Sequence, residues 1–120
     1  MNTRKFALAI AFSALVLTSG AFAGTKVALM PLGPTVSISG NQHPSTMQLE
    51  AFCNATPCNI NWQQMQNDSN VGTLDKCSTC ADTTTGPVSH FTAGTATGWV
   101  VVVIDDGQNH VATTVINVVP

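Results

Sequence analysis

Six consecutive apolar residues, Trp99 to Ile104, precede Asp105-Asp106-Gly107-Gln108-Asn109 and a second run rich in Val, Thr and Ile, His110 to Val119. Two apolar runs flanking an Asp-Gly step predict an antiparallel hairpin. WVVVVI is apolar on both faces, as expected of a central strand covered on both sides. That hairpin must pair its apolar face with further strands, because a lone hairpin is marginal in water.

The residues upstream supply those strands. Val and Thr favour strands, while Asn, Gly and Ser favour turns. Met47, Leu49, Ala51 and Cys53 alternate with Gln48 and Glu50, a period of two over Met47 to Cys53. Further strands are predicted at Thr35 to Ser39, with Val36 and Ile38 on one face, and at Asn59 to Gln64, with Ile60 and Trp62 together. Val71 to Leu74 and Val88 to Ala93 complete a set of seven. Breaks at 40–44, 54–57, 67–70, 83–87 and 94–98 carry Gly, Pro or Asn. No helix is predicted after residue 23. Seven short strands separated by turn signals predict an all-β fold, one antiparallel two-sheet sandwich.

The chain begins differently. Arg4 and Lys5 precede a 12-residue apolar run, Phe6 to Leu17, and Ala21-Phe22-Ala23 follows. Together these read as a cleavable secretory signal peptide over residues 1–23. The run is shorter than the roughly 20 residues that span a bilayer. Cleavage leaves 97 residues, with two lysines against six acids and a net charge of −4. Residues 24–33 read as an N-terminal arm, or as the first half of the first strand, and 34–120 as the sandwich domain. A strongly basic surface for nucleic acid is absent. The expected location is periplasmic, extracellular or at the cell surface, with no membrane span after signal removal.

Several segments together resemble bacterial immunoglobulin-like domains of the invasin type. These are Ile60-Asn61-Trp62, Val71-Gly72-Thr73-Leu74, His90-Phe91-Thr92-Ala93, Gly98-Trp99-Val100-Val101-Val102 and Val111 to Val118. The likeness covers roughly residues 34–119. It implies a single immunoglobulin-like sandwich, a core position for Trp62 and the role such domains have in secreted adhesins and surface proteins. The chain departs from antibody-type domains. No cysteine lies in the Trp99–Ile104 run, and without tyrosine there is no tyrosine corner.

Cys53, Cys58, Cys77 and Cys80 form two close pairs. Similar spacings hold zinc, but an even cysteine count in an exported chain points to disulfides. In a seven-strand sandwich the loops after the second, fourth and sixth strands share one end. Cross-pairing therefore stays open beside the kinetically easier local pairing, Cys53–Cys58 and Cys77–Cys80, which we favour. Cys-x2-Cys here lacks the strand–helix context of redox enzymes.

Other chemistry is sparse. Asp105 and Asp106 suit a turn better than a glycosidase pair, whose carboxylates face each other across a bond. His43, His90 and His110 are predicted apart, and Ser89 and His90 on opposite sheet faces. Asn54-Ala55-Thr56 and Asn67-Asp68-Ser69 match the glycosylation pattern, which matters only in a host that glycosylates. No catalytic residue, metal or cofactor is expected. The leading function is a structural or adhesive module binding a protein or surface glycan through its loops. The candidate contacts are the loops 54–57, 76–87 and 105–110, with Asn54, Asp105, Asp106 and His110 singled out among them. Two alternatives stand beside it. One is a self-associating fibre subunit that uses the arm. The other is a small secreted enzyme or metal carrier that uses the cysteine-bearing loops.

Overall fold

A computed structural model describes residues 26–54, 58–65 and 69–120. The signal peptide expected over 1–23, the start of the arm and parts of both glycosylation motifs lie outside the described residues. The strands are β1 Val27–Met30, β2 Thr35–Ser37, β3 Thr46–Cys53, β4 Asn61–Gln64, β5 Gly72–Leu74, β6 Val88–Ala93, β7 Gly98–Asp105 and β8 Val111–Val119. They form two four-stranded sheets, ordered β1-β3-β6-β5 and β2-β8-β7-β4. Every neighbouring pair is antiparallel except β2 and β8, which run parallel. The described residues hold eight strands where seven were expected. The first strand is split: β1 lies on the edge of one sheet and β2 on the edge of the other.

Side-chain alternation sets the core. Leu49 and Ala51 of β3, Phe91 of β6, Trp62 of β4, Val100, Val102 and Ile104 of β7, and Ile116 and Val118 of β8 are all buried between the sheets. Trp62 is 2% exposed, and its indole Nε1 donates to the Gly86 carbonyl at 2.7 Å. A buried indole N–H without an acceptor would carry a desolvation cost, so this bond fixes the ring's orientation. Gly72 packs its backbone against the Phe91 ring and the Thr92 carbonyl, where a Cβ would overlap both.

Part of the expected arm is core. Val27 is 4% and Leu29 2% exposed, and β1 pairs with β3 from Val27↔Cys53 to Met30↔Glu50. A strand given to a neighbouring molecule would first have to leave this sheet. Leu29→Ala is expected to cost about 2–3 kcal/mol, toward the lower end for buried leucine because an edge strand can relax. Denaturant unfolding followed by circular dichroism measures it.

Two side chains stitch the sheets along their open corners. The Gln64 amide spans to β5, donating to the Gly72 carbonyl at 2.8 Å and accepting from the Leu74 N–H at 3.2 Å. On the other side, Thr114 Oγ1 accepts from the Gly33 N–H at 2.9 Å and donates to the Pro31 carbonyl at 3.1 Å. The first bridge satisfies backbone groups that edge strand β5 otherwise leaves to water, and the second satisfies those of the turn between β1 and β2.

The Trp99–Ile104 run is central, between β8 and β4, but the expectation that both its faces are covered is corrected. Val100, Val102 and Ile104 are buried, whereas Trp99 is 67% exposed and Val101 and Val103 are half-buried. No other layer of the described residues covers that outer face. Phe52 on the outside of the other sheet is also exposed.

Candidate functional site

The loop end of the sandwich carries a cleft of about 380 Å³ lined by Lys26, Cys53, Asn54, Asn59, Asp106, Gln108 and His110. Three separate segments meet there. The first precedes β1, the second joins β3 to β4, and the third joins β7 to β8. The Asn54 N–H donates to the Lys26 carbonyl at 3.2 Å, which ties the first segment to the second. The bond Cys53–Cys58 closes the second at its base, with Cα atoms 5.5 Å apart.

The third segment is longer than a two-residue hairpin turn. β7 ends at Asp105 and β8 begins at Val111, leaving Asp106 to His110 as the loop. Gly107 has φ +75° and Asn109 φ +66°, left-handed values that favour these two residue types. Asp106 organises the loop. Its Oδ1 accepts from the Gln108 N–H at 2.8 Å and the His110 N–H at 3.2 Å, and its Oδ2 lies 2.6 Å from His110 Nδ1. Partial desolvation works to raise the Asp106 carboxyl, but the hydrogen bonds from His110 and Gln108 outweigh it and hold it below the ordinary range.

Of the candidate contacts, Asn54, Asp106 and His110 converge on this cleft and Asp105 does not. Asp105 Oδ1 accepts from Asn61 Nδ2 at 3.2 Å and from the Gly107 N–H at 3.0 Å. It lines a second cleft of about 260 Å³ with Asn61, Trp62, Gln63, Cys77, Ser78, Thr83 and Thr84. The two adjacent carboxylates thus serve different partners. Sequence reasoning did not single out Lys26, Asn59 and Gln108. Lys26 became visible only once β1 was known to belong to the sheet.

The loop of residues 76–87, expected at the same end, lines the second cleft, which Asp105 shares, and not the first. It runs along the edge of β4: the Ser78 N–H donates to the Trp62 carbonyl at 2.9 Å and the Gly86 N–H to the Ile60 carbonyl at 3.1 Å. Cys77 and Cys80 are joined within it, with Cα atoms 4.9 Å apart. The two disulfides therefore line different clefts. With all four sulfurs in disulfides, no cysteine thiolate is present for zinc.

A polar cluster anchors the root of that loop. Asp75 Oδ1 lies 2.9 Å from the Ser89 hydroxyl and accepts from the His90 N–H at 2.8 Å, and Oδ2 lies 2.9 Å from His90 Nδ1. The carboxylate sits between serine and histidine. The histidine is placed to orient the acid rather than to take the hydroxyl proton, as a nucleophilic triad requires. Desolvation pushes the Asp75 carboxyl up, and hydrogen bonds from His90 and Ser89 bring it below its ordinary value. Hydrogen bonds from the Thr84 N–H and hydroxyl lower Asp82. His43 lies in a cleft of about 540 Å³ formed with Ser37, Ser39, Asn41, Gln42, Val119 and Pro120, apart from His110.

These three acids give the fold a pH dependence. A carboxyl that is a stronger acid when folded stabilises the fold above its unfolded value, near 3.8, and that contribution fades as pH falls through the folded value. The melting temperature is expected to drop on acidification from pH 5 to pH 2. In Asp106→Asn the drop should be smaller. Melts monitored by circular dichroism at several pH values check both.

No family model matches the chain, and no curated protein matches it. Several solved structures share its fold, among them two of a surface layer protein. One is a crystal structure of domains 4 and 5 of the S-layer protein SbsC, at TM-score 0.51 and 16% identity, covering 92% of this chain and 49% of that one. The other is a structure of domains 1–6 of the surface layer protein SbsC, at TM-score 0.53 and 15% identity, covering 91% of this chain and 14% of that one. The chain thus spans about half or less of each of these two solved chains. Among the described residues no helix is long and apolar enough to cross a membrane.

Proposed function

We propose that this chain is an exported, non-catalytic module of the cell envelope whose loop end binds a surface glycan or protein. The observation that carries the reading is the cleft where Lys26, Asn54, Asn59, Asp106, Gln108 and His110 meet. Its volume falls within the range of small-ligand sites, about 300–1,000 Å³. Its lining of amides, an imidazole, a carboxylate and an ammonium suits a hydroxyl-rich or peptide-like partner better than an apolar one. Loops held on a rigid sandwich commonly carry recognition. The fold shared with S-layer domains supports a role at the surface, since those neighbours are surface layer proteins. Two disulfides suit an oxidising compartment.

A glycan array together with binding to isolated native envelope tests the reading. Asn59→Ala with Gln108→Ala should weaken binding tenfold or more, since two lost hydrogen bonds are worth about 2 kcal/mol. Binding unchanged in the double variant would place the partner elsewhere on the molecule.

A further inference from the structure

The outer face of the β2-β8-β7-β4 sheet is an apolar surface that no other layer of the described residues covers. Cross-strand register places Val101 of β7 opposite Val115 of β8, and the Met65 N–H donates to the Val101 carbonyl at 2.8 Å. Val115, Val101 and Met65 thus form one row across three strands. Trp99 and Val103 extend it along β7. Trp99 is 67%, Met65 60% and Val115 41% exposed. The margin is polar and mostly uncharged: Asn117, Thr113, Gln63 and Asn61. An apolar patch with a polar rim marks an interaction site.

We propose that this face pairs with the same face of a second copy of the chain, about a two-fold axis. Area is the first argument. Strands of four, eight and nine residues, about 4.8 Å apart and about 3.4 Å per residue, cover on the order of 350 Å² before side-chain relief is counted. Two such faces bury on the order of 1,000 Å², the lower bound for a specific interface and the range of weak, reversible ones.

Charge is the second argument. Without its leader each copy carries net −4, so most approaches of two copies are repulsive. Among the described residues, Lys26 and Asp106 lie at the loop-end cleft, Glu50 is exposed on the other sheet, and Asp75, Lys76 and Asp82 follow β5. Asp105 alone stands on this face, at its end and bonded to Asn61. Two copies can therefore meet here without opposing charges at the centre. A saccharide fits the patch less well. Valine and methionine offer its hydroxyls no hydrogen bonds, and desolvated hydroxyls left unpaired oppose binding.

Sedimentation velocity of the exported chain from 10 μM to 1 mM tests the proposal. A concentration-dependent dimer is expected, tighter at 0.5 M than at 0.05 M NaCl because salt screens the net repulsion. Val115→Lys should weaken it at least tenfold with an unchanged circular dichroism spectrum and melting temperature. Phe52→Lys, on the opposite outer face, should leave it intact. A monomer throughout the range overturns the proposal, as does a dimer indifferent to Val115→Lys or lost in Phe52→Lys. A monomer whose tryptophan emission shifts with added chitotetraose would give the face to a saccharide and overturn it equally.

Discussion

Trp62→Ala is expected to leave most of the protein unfolded at room temperature. Trp62 is 2% exposed and is the largest fully buried side chain of the described residues. Truncating a buried aromatic of this size costs about 3–5 kcal/mol through lost burial and the cavity left behind. The change also strands the Gly86 carbonyl that the indole Nε1 reaches at 2.7 Å, adding about 1 kcal/mol or more. A domain of this length has about 5–15 kcal/mol in total, and one near the lower end would not survive the loss. Trp62→Phe separates the two contributions, keeping most of the ring while losing the bond. It should cost about 1–3 kcal/mol. Urea unfolding followed by far-ultraviolet circular dichroism gives both numbers without relying on Trp62 as the probe.

Removing both disulfides is expected to cost about 4 kcal/mol. The rings are short, with sequence separations of 5 and 3. Loop-closure entropy assigns about 2 kcal/mol to each. The two losses should differ in kind. Cys53→Ser with Cys58→Ser loosens the base of the loop-end cleft, so partner binding weakens along with stability. Cys77→Ser with Cys80→Ser frees the 76–87 segment from the flank of β4, so stability falls while the cleft keeps its shape. Parallel unfolding and binding measurements on the two double variants check this. Equal effects on binding would mean that the flank segment shares in the site.

The alternating pattern of Met47 to Cys53 made β3 legible, because a period of two with one buried face leaves a single register. Val88–Ala93 was legible from end to end, and β7 and β8 to within one residue at their ends. β1 was harder. Val27 to Met30 is four residues long with a proline directly after it, too short for a periodic signal, and only pairing with β3 makes it a strand. The uncovered face of β7 was hidden for a different reason. WVVVVI reads the same whether its second face meets another layer or water, since composition does not record a missing neighbour. At the loop end, Asp106 and His110 stood out as titratable residues near a turn. Lys26 and Asn59 belong to the site only through three-dimensional neighbours. The 76–87 segment lines the second cleft rather than the first, because loop order fixes which end a connection leaves from, not where twelve residues then travel. Hydrogen bonds to the Trp62 and Ile60 carbonyls draw it along β4 instead.

Residue-resolved amide shifts of the isotopically labelled chain, titrated with solubilised envelope glycans and proteins, would locate the partner directly. Binding at the loop end should move the resonances of Asn54, Asn59, Gln108 and His110 and leave those of β7 and β6 in place. Shifts confined to Trp99, Val101 and Val115, or to the 76–87 segment, would contradict a binding role for the cleft.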